Sequence, residues 1–418
     1  MDILKYYIDR QDLRYGTGFD SFKDVIVVIP VFDDDLIFET LTSIEEASVP
    51  DISVGVIVVC NHAADCSETI KRRNRNLAAG IRRFLSSTGN GRAFYAVEYI
   101  VVEAFDLPKK FSGVGAARKI GMDMGIAVFA RFSHPDGLIL SLDADTSVEK
   151  NYISSVRDFF GNGSWAGASV YFEHRLDSCS PEVRNAVVKY ELYMRYYRHA
   201  LKYSGHPGAY YGIGSAFAVR ARDYAARGGM NRKQAGEDFY FVQKMVATGR
   251  YGNLNRTAVY PSSRLSDRTP FGTGKALKTI IADGGCFKVY SFEAFCELKK
   301  FHEDLPLAFQ MNEKDLKEWM LRLHPSLRDY FLKENYLEVF SEVRGNSSTP
   351  ENCIARFFNN FTAFKVIKYL NFSHEGYFVK SEIGENTSEL LKSSGVASGN
   401  SVEEMLFLLR LRDKNEKF

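Results

Sequence analysis

Cysteine is scarce in this chain: six residues (60, 66, 179, 286, 296 and 353) are scattered over 418, with no Cys-x-x-Cys pair. That scatter argues against a disulfide-stapled scaffold and predicts reduced thiols in a cytosolic protein. An apolar run of membrane-spanning length is also missing, as is a signal-peptide core after Met1–Asp2–Ile3–Leu4–Lys5. The expected location is therefore the cytoplasm, with peripheral contact at the inner membrane surface left open. No one sign of charge dominates. Lys and Arg together number 54 and Asp and Glu 52, a net of +2, which argues against an extended nucleic-acid-binding surface. No internal repeat is found.

What is present is an ordinary globular composition, 45% hydrophobic and 25% charged, in a chain long enough for two domains. The 32 Phe and 23 Tyr suit either thick cores or a sugar-stacking cleft. Three runs rich in β-branched residues, Val25–Val31 (VIVVIPV), 53–60 and 97–102, and the apolar run 138–142 read as strands. Helical stretches separate them. One follows the acidic turn Asp33–Asp34–Asp35, one carries Lys71, Arg72 and Arg73, and one opens at Ser112–Gly113–Val114–Gly115 and runs to about Arg131. Strands alternating with helices predict a parallel α/β sheet. Further on, the pattern predicts a helix near 148–160, a strand at 166–172, a long aromatic helix at 181–203, a strand at 216–220 and a helix at 238–246. Tyr190, Tyr193, Tyr196 and Tyr197 on the aromatic helix serve packing or an acceptor groove. From about 286 the periodicity is that of amphipathic helices, at 290–303, 313–323, 327–343, 355–370 and 402–412, with 387–401 loose. The expected organisation is an extension over 1–23, an α/β domain over 24–285 and a helical accessory region over 286–418.

The chemistry concentrates at the end of the fourth strand, Leu138–Ile139–Leu140–Ser141–Leu142–Asp143–Ala144–Asp145. In an extended chain, alternation sends Asp143 and Asp145 to one side. Two hard oxygen ligands at the carboxyl end of a buried strand suit Mg²⁺ or Mn²⁺, with diphosphate oxygens completing the shell. The plain alternative is a strand running into a polar turn. His62, His174, His206 and His302 are each either a further metal ligand or an ordinary core or surface histidine. Gly236–Glu237–Asp238–Phe239 opens a helix after the Gly-Gly turn at 228–229. The segment 261–275, rich in Arg, Ser and Gly, reads as a loop able to meet phosphates through backbone N–H groups and guanidinium forks, with 264–275 as a lid over the diphosphate, or else as a flexible linker.

The individual signals are weak, but their order is specific. A strand ending in Pro-Val, a polar loop after the second strand, Gly-x-x-Arg opening the third helix, the Asp-x-Asp and a later Glu-Asp resemble the nucleotide-sugar-dependent glycosyltransferases of family 2, over about residues 24–275. The resemblance implies a GT-A (Rossmann-like) fold. It also implies transfer of a hexose from a nucleotide-diphosphate sugar, most readily a UDP-sugar, to a hydroxyl on a glycan, lipid-linked or small-molecule acceptor in glycan or cell-envelope polysaccharide synthesis. In this sequence it implies that Pro30, Val31 and Asp33 border the base, with Asn61 and Asp65 beside a uracil-type ring. Arg118 would hold base or diphosphate, and Asp143 would face ribose and metal. Asp145 would bind the metal, Mn²⁺ or Mg²⁺, and Asp238 would be the general base with Glu237 beside it. Arg264 and Arg268 stand near the place where processive relatives carry an Arg-Trp segment. That Trp is absent here, and with no transmembrane helix the expectation is a non-processive, inverting enzyme. Asn61–His62 also departs from the Asp-Asp or Asp-Gly of many relatives.

Three other readings share some of these residues. A haloacid-dehalogenase-type phosphatase would read Asp143–Ala144–Asp145–Thr146 as its nucleophile motif with Mg²⁺, but that motif normally opens its domain. A sugar nucleotidyltransferase would want a Gly-rich phosphate loop after the first strand. A non-catalytic glycan-binding relative has nothing positive in its favour.

Overall fold

The computed structural model describes residues 2–88, 97–177, 179–231, 236–266 and 272–416. The chain divides into two compact units. One comprises Met1–Ser178, Tyr210–Lys275 and Asp413–Phe418; the other comprises Cys179–Ala209 and Ala276–Arg412.

The first unit is built on an eight-stranded sheet: β1 (Val25–Val31), β2 (Val54–Ala63), β3 (Val97–Leu107), β4 (Leu138–Ser141), β5 (Thr146–Val148), β6 (Gly167–Phe172), β7 (Phe217–Arg220) and β8 (Tyr251–Pro261). Every residue of β1 is buried, as expected of a β-branched run in the middle of a parallel sheet. Its neighbours β2 and β4 both pair parallel to it, and β3 continues the parallel set beyond β2. Strand order is β3-β2-β1-β4-β7-β6-β8-β5. The chain thus builds outward from β1 to β3 and then returns to the opposite side of β1 to lay down β4. Such a reversal opens a crevice at the carboxyl ends of β1 and β4. Beyond β4 the sheet turns mixed, with β7 antiparallel to both β4 and β6 and the short β5 antiparallel to β8.

The helices of the first unit are α1 (Ile3–Ile8), α2 (Ile37–Glu46), α3 (Glu68–Thr88), α4 (Val114–Arg131) and α5 (Tyr152–Gly161). After α6 (Pro181–Tyr203), which belongs to the second unit, come α7 (Ala221–Ala226) and α8 (Glu237–Val246). Helix α4 lies so close to β1 that a Cβ on Gly121 would stand 2.4 Å from Val28 Cγ1. A side chain there would force the helix off the sheet. The first 23 residues contribute directly to this core: Leu4, Tyr7 and Phe19 are buried in it. The Tyr7 hydroxyl donates to Asp123 (2.8 Å), whose carboxylate also accepts from Tyr224 (2.9 Å) and pairs with Lys119 (2.8 Å).

Several local expectations need correction. Strand β2 runs on to Ala63, because β3 supplies hydrogen-bonding partners as far as Leu107. Asn61 and His62 therefore lie in a strand, not in a loop. Strand β4 stops at Ser141, so the alternation argument for Asp143 and Asp145 does not apply, and the pair sits on the turn before β5. The edge strand β5 and its neighbour β8 went unread, and the helix expected from 148 begins at Tyr152.

In the second unit, α6 packs with the helices Phe292–Ala308 and Ile383–Ser393. Three of its tyrosines pack against aromatic rings of this unit: Tyr193 meets Phe287 edge-on, and Tyr196 and Tyr197 both meet Phe295. The helix expected over 327–343 is broken at Asn335, which is left-handed (φ 57°) and separates Pro325–Lys333 from Tyr336–Gly345. The one expected over 355–370 is broken before Ala363, where the Thr362 side chain caps a new start. Residues 387–393, expected to be loose, are helical, with Leu390 and Leu391 buried. Among the described residues no helix is long and apolar enough to cross a membrane.

Two buried histidines in this unit carry a prediction. His206 has a main-chain partner at each ring nitrogen, Gly208 N–H at Nδ1 (2.9 Å) and the Phe361 carbonyl at Nε2 (2.8 Å), an arrangement that suits the neutral ring. The His302 ring centroid is 5.7 Å away, and its Nδ1 faces the Ser204 carbonyl at 2.6 Å. Burial pushes His206 down to about 4 and, with repulsion from His206, pushes His302 down to about 3. An unfolded histidine takes up its proton near pH 6.5, so this stability is fully present above that pH and is lost as pH falls toward the folded values. On acidification from neutral pH to about 4, thermal unfolding should reveal a loss on the order of 1–3 kcal/mol per histidine. The His302→Gln variant should show a shallower acid slope. Equal slopes in the two proteins would contradict this account.

Candidate active site

The crevice between β1 and β4 receives both carboxylate motifs. The turn after β4 is tied down by its main chain. The Asp143 carbonyl accepts from Thr146 N–H (3.2 Å), the Ala144 carbonyl from the buried Thr40 hydroxyl (2.8 Å), and the Asp145 carbonyl from Ser262 N–H (3.0 Å). Just upstream, the buried Ser141 hydroxyl donates to the Gly214 carbonyl (2.6 Å), which holds the loop before β7 against the end of β4.

Two arginines organise the charges. Arg118, near the start of α4, is 2% exposed; its Nη2 donates to Asp143 Oδ1 at 2.6 Å, and its Nη1 pairs with Glu237 Oε1. Burial opposes the charge on this guanidinium, but Glu237, Asp143 and Asp238 outweigh it and push its pKa upward. Room for Arg118 comes from Gly214, where an added Cβ would stand 2.5 Å from Nη2. Arg264 makes the second link: its Nη2 pairs with Asp34 Oδ2 and lies 3.3 Å from Asp145 Oδ2. Asp145 is pushed up to about 7, by burial first and then by Asp143 and Asp34, with Arg264 opposing. Asp34 is raised by burial against the pull of Arg264.

Helix α8 presents the second motif. Gly236, at φ 69°, takes the left-handed turn into the helix. Glu237 is almost fully buried under Arg118, whereas Asp238 is half-buried. Asp238 Oδ1 accepts from Phe239 N–H at 2.7 Å. A helix N-terminus alone would lower a carboxylate pKa. Here burial wins over the attraction of Arg118, and Asp238 is raised.

The other candidates lie as follows. Pro30 and Val31 end β1, fully inside. Asp33, left-handed at φ 50°, pairs with Arg73 (2.9 Å), and its N–H donates to Asn74 (3.0 Å). Asn61 donates to the Ser112 carbonyl (2.5 Å), and Asp65 pairs with Lys109 at the surface (3.0 Å). Arg268, with the rest of 267–271, falls outside the described residues. His62 stacks on Phe105 at 4.6 Å. Among the described residues no cluster of three His, Cys, Asp or Glu side chains stands ready to hold a metal ion. Sequence reasoning missed Asp34, Ser141 and Gly214 as parts of this site. The acidic run 33–35 and the Gly-x-Gly at 212–214 were visible, but nothing local told which long-range partner each would meet.

No protein-family model matches the chain, and no curated protein matches it in sequence. Among solved structures it is similar to TarS 1–349 from S. aureus, at 12% identity and a TM-score of 0.37, over 81% of this chain and 91% of that one. The same protein in complex with UDP-GlcNAc is matched at 12% identity and a TM-score of 0.36, over 94% of this chain and 88% of that one. The mannosyltransferase PcManGT from Pyrobaculum calidifontis, in complex with GDP-Man and Mn²⁺, is matched at 12% identity and a TM-score of 0.34, over 100% and 96% of the two chains. At scores this low the likeness decides nothing, and the fold stands on the strand pairing described above.

Proposed function

We propose that this chain transfers a sugar, most readily a hexose, from a nucleotide-diphosphate sugar to a hydroxyl acceptor, non-processively and with inversion. The preferred donor is a UDP-sugar. The observation that carries this reading is the meeting, at the reversal of the sheet, of two carboxylate motifs that one buried guanidinium joins: Asp143 on one side and Glu237 on the other.

In this reading Asp238 takes the proton of the acceptor hydroxyl as it attacks the anomeric carbon. Glu237 is a positioning residue: it holds Arg118, which in turn aligns Asp143. Pro30, Val31, Asp33, Asn61 and Asp65 lie on the nucleotide side, and Arg264 faces the diphosphate. The carboxylates suit a divalent cation, because Asp145 is half-buried beside Asp143 and Asp34, and among the described residues Arg264 is the cation that offsets the charge of Asp145, Arg118 being taken up by Asp143 and Glu237. Held by Asp143 and Asp145, Mn²⁺ or Mg²⁺ would stabilise charge on the departing diphosphate.

Incubation with UDP-sugars and Mn²⁺ tests the class of reaction. Slow release of UDP supports a transferase, and inorganic phosphate from a phosphoester would support the phosphatase reading instead. The Asp145→Ala protein is expected to fold but to lose the rise in melting temperature that UDP plus Mn²⁺ gives the parent. Metal-dependent stabilisation that survives the substitution would remove Asp145 from the metal site.

A further inference from the structure

Arg264 stands where a bound cation would be needed. Its guanidinium lies between Asp34, which comes from the turn after β1, and Asp145, from the turn after β4. Both turns leave the carboxyl ends of β1 and β4, the neighbouring strands at which the chain reverses direction across the sheet. Arg264 Nε has no hydrogen-bond partner among the described residues, so the group is held through its Nη2 and through charge. Its backbone belongs to no helix or strand: it lies in the irregular run 262–266, where the Ser262 hydroxyl accepts from Arg264 N–H (3.2 Å). The side chain is 30% exposed, so it has a way out toward solvent. Arg118, whose Nε likewise has no partner among the described residues, differs in the other respects. It is buried in a helix, shared by two carboxylates, and has no room to leave.

We infer that Arg264 is an internal placeholder for the divalent cation: it neutralises Asp34 and Asp145 while no ion is bound and competes with the ion for Asp145. On this view the crevice holds two kinds of positive charge. Arg118 is permanent and structural. Arg264 is exchangeable, and once displaced it is a cation on a mobile stem beside the place where a diphosphate would arrive. Metal and diphosphate would then bind cooperatively, since each makes it easier for Arg264 to leave the carboxylates. The inference rests on the metal-site assignment proposed above and adds the competitor.

The probe is Mn²⁺ alone, with free ion measured by electron paramagnetic resonance on the full chain in mildly alkaline buffer and no nucleotide present. Removing a unit charge so close to a carboxylate should be felt strongly even at an effective dielectric well above that of dry protein. Arg264→Gln is expected to bind Mn²⁺ about tenfold more tightly than the parent. Arg264→Lys, which keeps the charge, should stay near the parent, and Asp145→Asn should lose binding in either background. Adding UDP should narrow the gap between parent and Arg264→Gln. Melting temperatures of all variants establish that each is folded. A purely structural ion pair predicts the opposite, a destabilised Arg264→Gln protein with unchanged or weaker Mn²⁺ binding, and that result would overturn the inference. So would a parent and variants that all fail to bind the ion. Sugar transfer is scored separately. A chain with the Arg264 effect on Mn²⁺ but no use of sugar nucleotides keeps this inference and loses the reaction. A chain that transfers sugar with Mn²⁺ binding indifferent to Arg264→Gln does the reverse.

Discussion

Replacing Asp238 by Asn is expected to lower sugar transfer by about 10²-fold or more while leaving nucleotide-sugar binding near that of the parent. The amide keeps the shape of the side chain and can still accept from Phe239 N–H through its oxygen, so the start of α8 should survive. What it loses is the ability to take a proton. The pH profile supplies a second, independent reading. Burial raises the Asp238 carboxyl above its ordinary range, with Arg118 pulling the other way. A general base must be ionised, so kcat/KM should rise with pH through a value above that of an exposed aspartate. Asp238→Asn should erase that limb. Near-normal turnover in the Asn protein, or a product that keeps the donor's anomeric configuration, would remove Asp238 from the role of base.

The second large effect is on folding. In the second unit Glu191 and Arg195 are fully buried one helical turn apart on α6, with Nη2 to Oε1 at 2.7 Å. Arg410, mostly buried, reaches the other oxygen, Oε2, also at 2.7 Å. Substituting Glu191 by Gln removes the carboxylate that two guanidinium groups share inside the protein. Breaking a buried pair from one side is expected to cost about 3–5 kcal/mol, far more than an exposed ion pair is worth. Denaturant unfolding should show the loss as a lower midpoint. Glu191→Leu tests the other half of the argument: it also fills the volume, yet it should be no more stable than Glu191→Gln unless the arginines are replaced with it. A loss under about 1 kcal/mol would mean that these charges are better solvated than their burial indicates.

The central strands were legible because burial on both faces leaves a signature in the residues themselves: VIVVIPV cannot be much else. Strand β8 left no such signature, for it carries Asn253, Asn255 and Arg256. It is a strand because β6 lies on one side of it and β5 on the other, and no local pattern reports that. The end of β2 was misjudged for the same reason, since Asn61 owes its strand conformation to Ala104 of β3. At the site, Asp143, Asp145, Arg118 and Glu237 were each visible as motif residues. Their pairing was not. Arg118 and Glu237 are 119 residues apart, and Arg264 and Asp34 are 230 apart. Charge says only that opposite signs attract; the return of the chain across β1 decides which pairs meet. The helix breaks at Asn335 and Thr362 were missed because amphipathic periodicity continues through them, whereas a left-handed residue or a cap is a matter of one position.

The division of the chain into interleaved stretches has a consequence for how the protein is made. A ribosome delivers residues in order, and neither unit is a single run of that order. The sheet is complete once β8 has emerged, yet Tyr211 cannot donate its hydroxyl to Asp413 (2.8 Å) until 202 further residues have been synthesised. In the same way α6 is made long before the helices Phe292–Ala308 and Ile383–Ser393 that cover it. Meanwhile Tyr196, buried on α6, waits without the Phe295 ring that it packs against. Contacts that close such long stretches of chain form slowly, and exposed apolar surface is vulnerable while it waits. Synthesis through residues 412–413, more than the making of any one strand, is the step after which both units can finish.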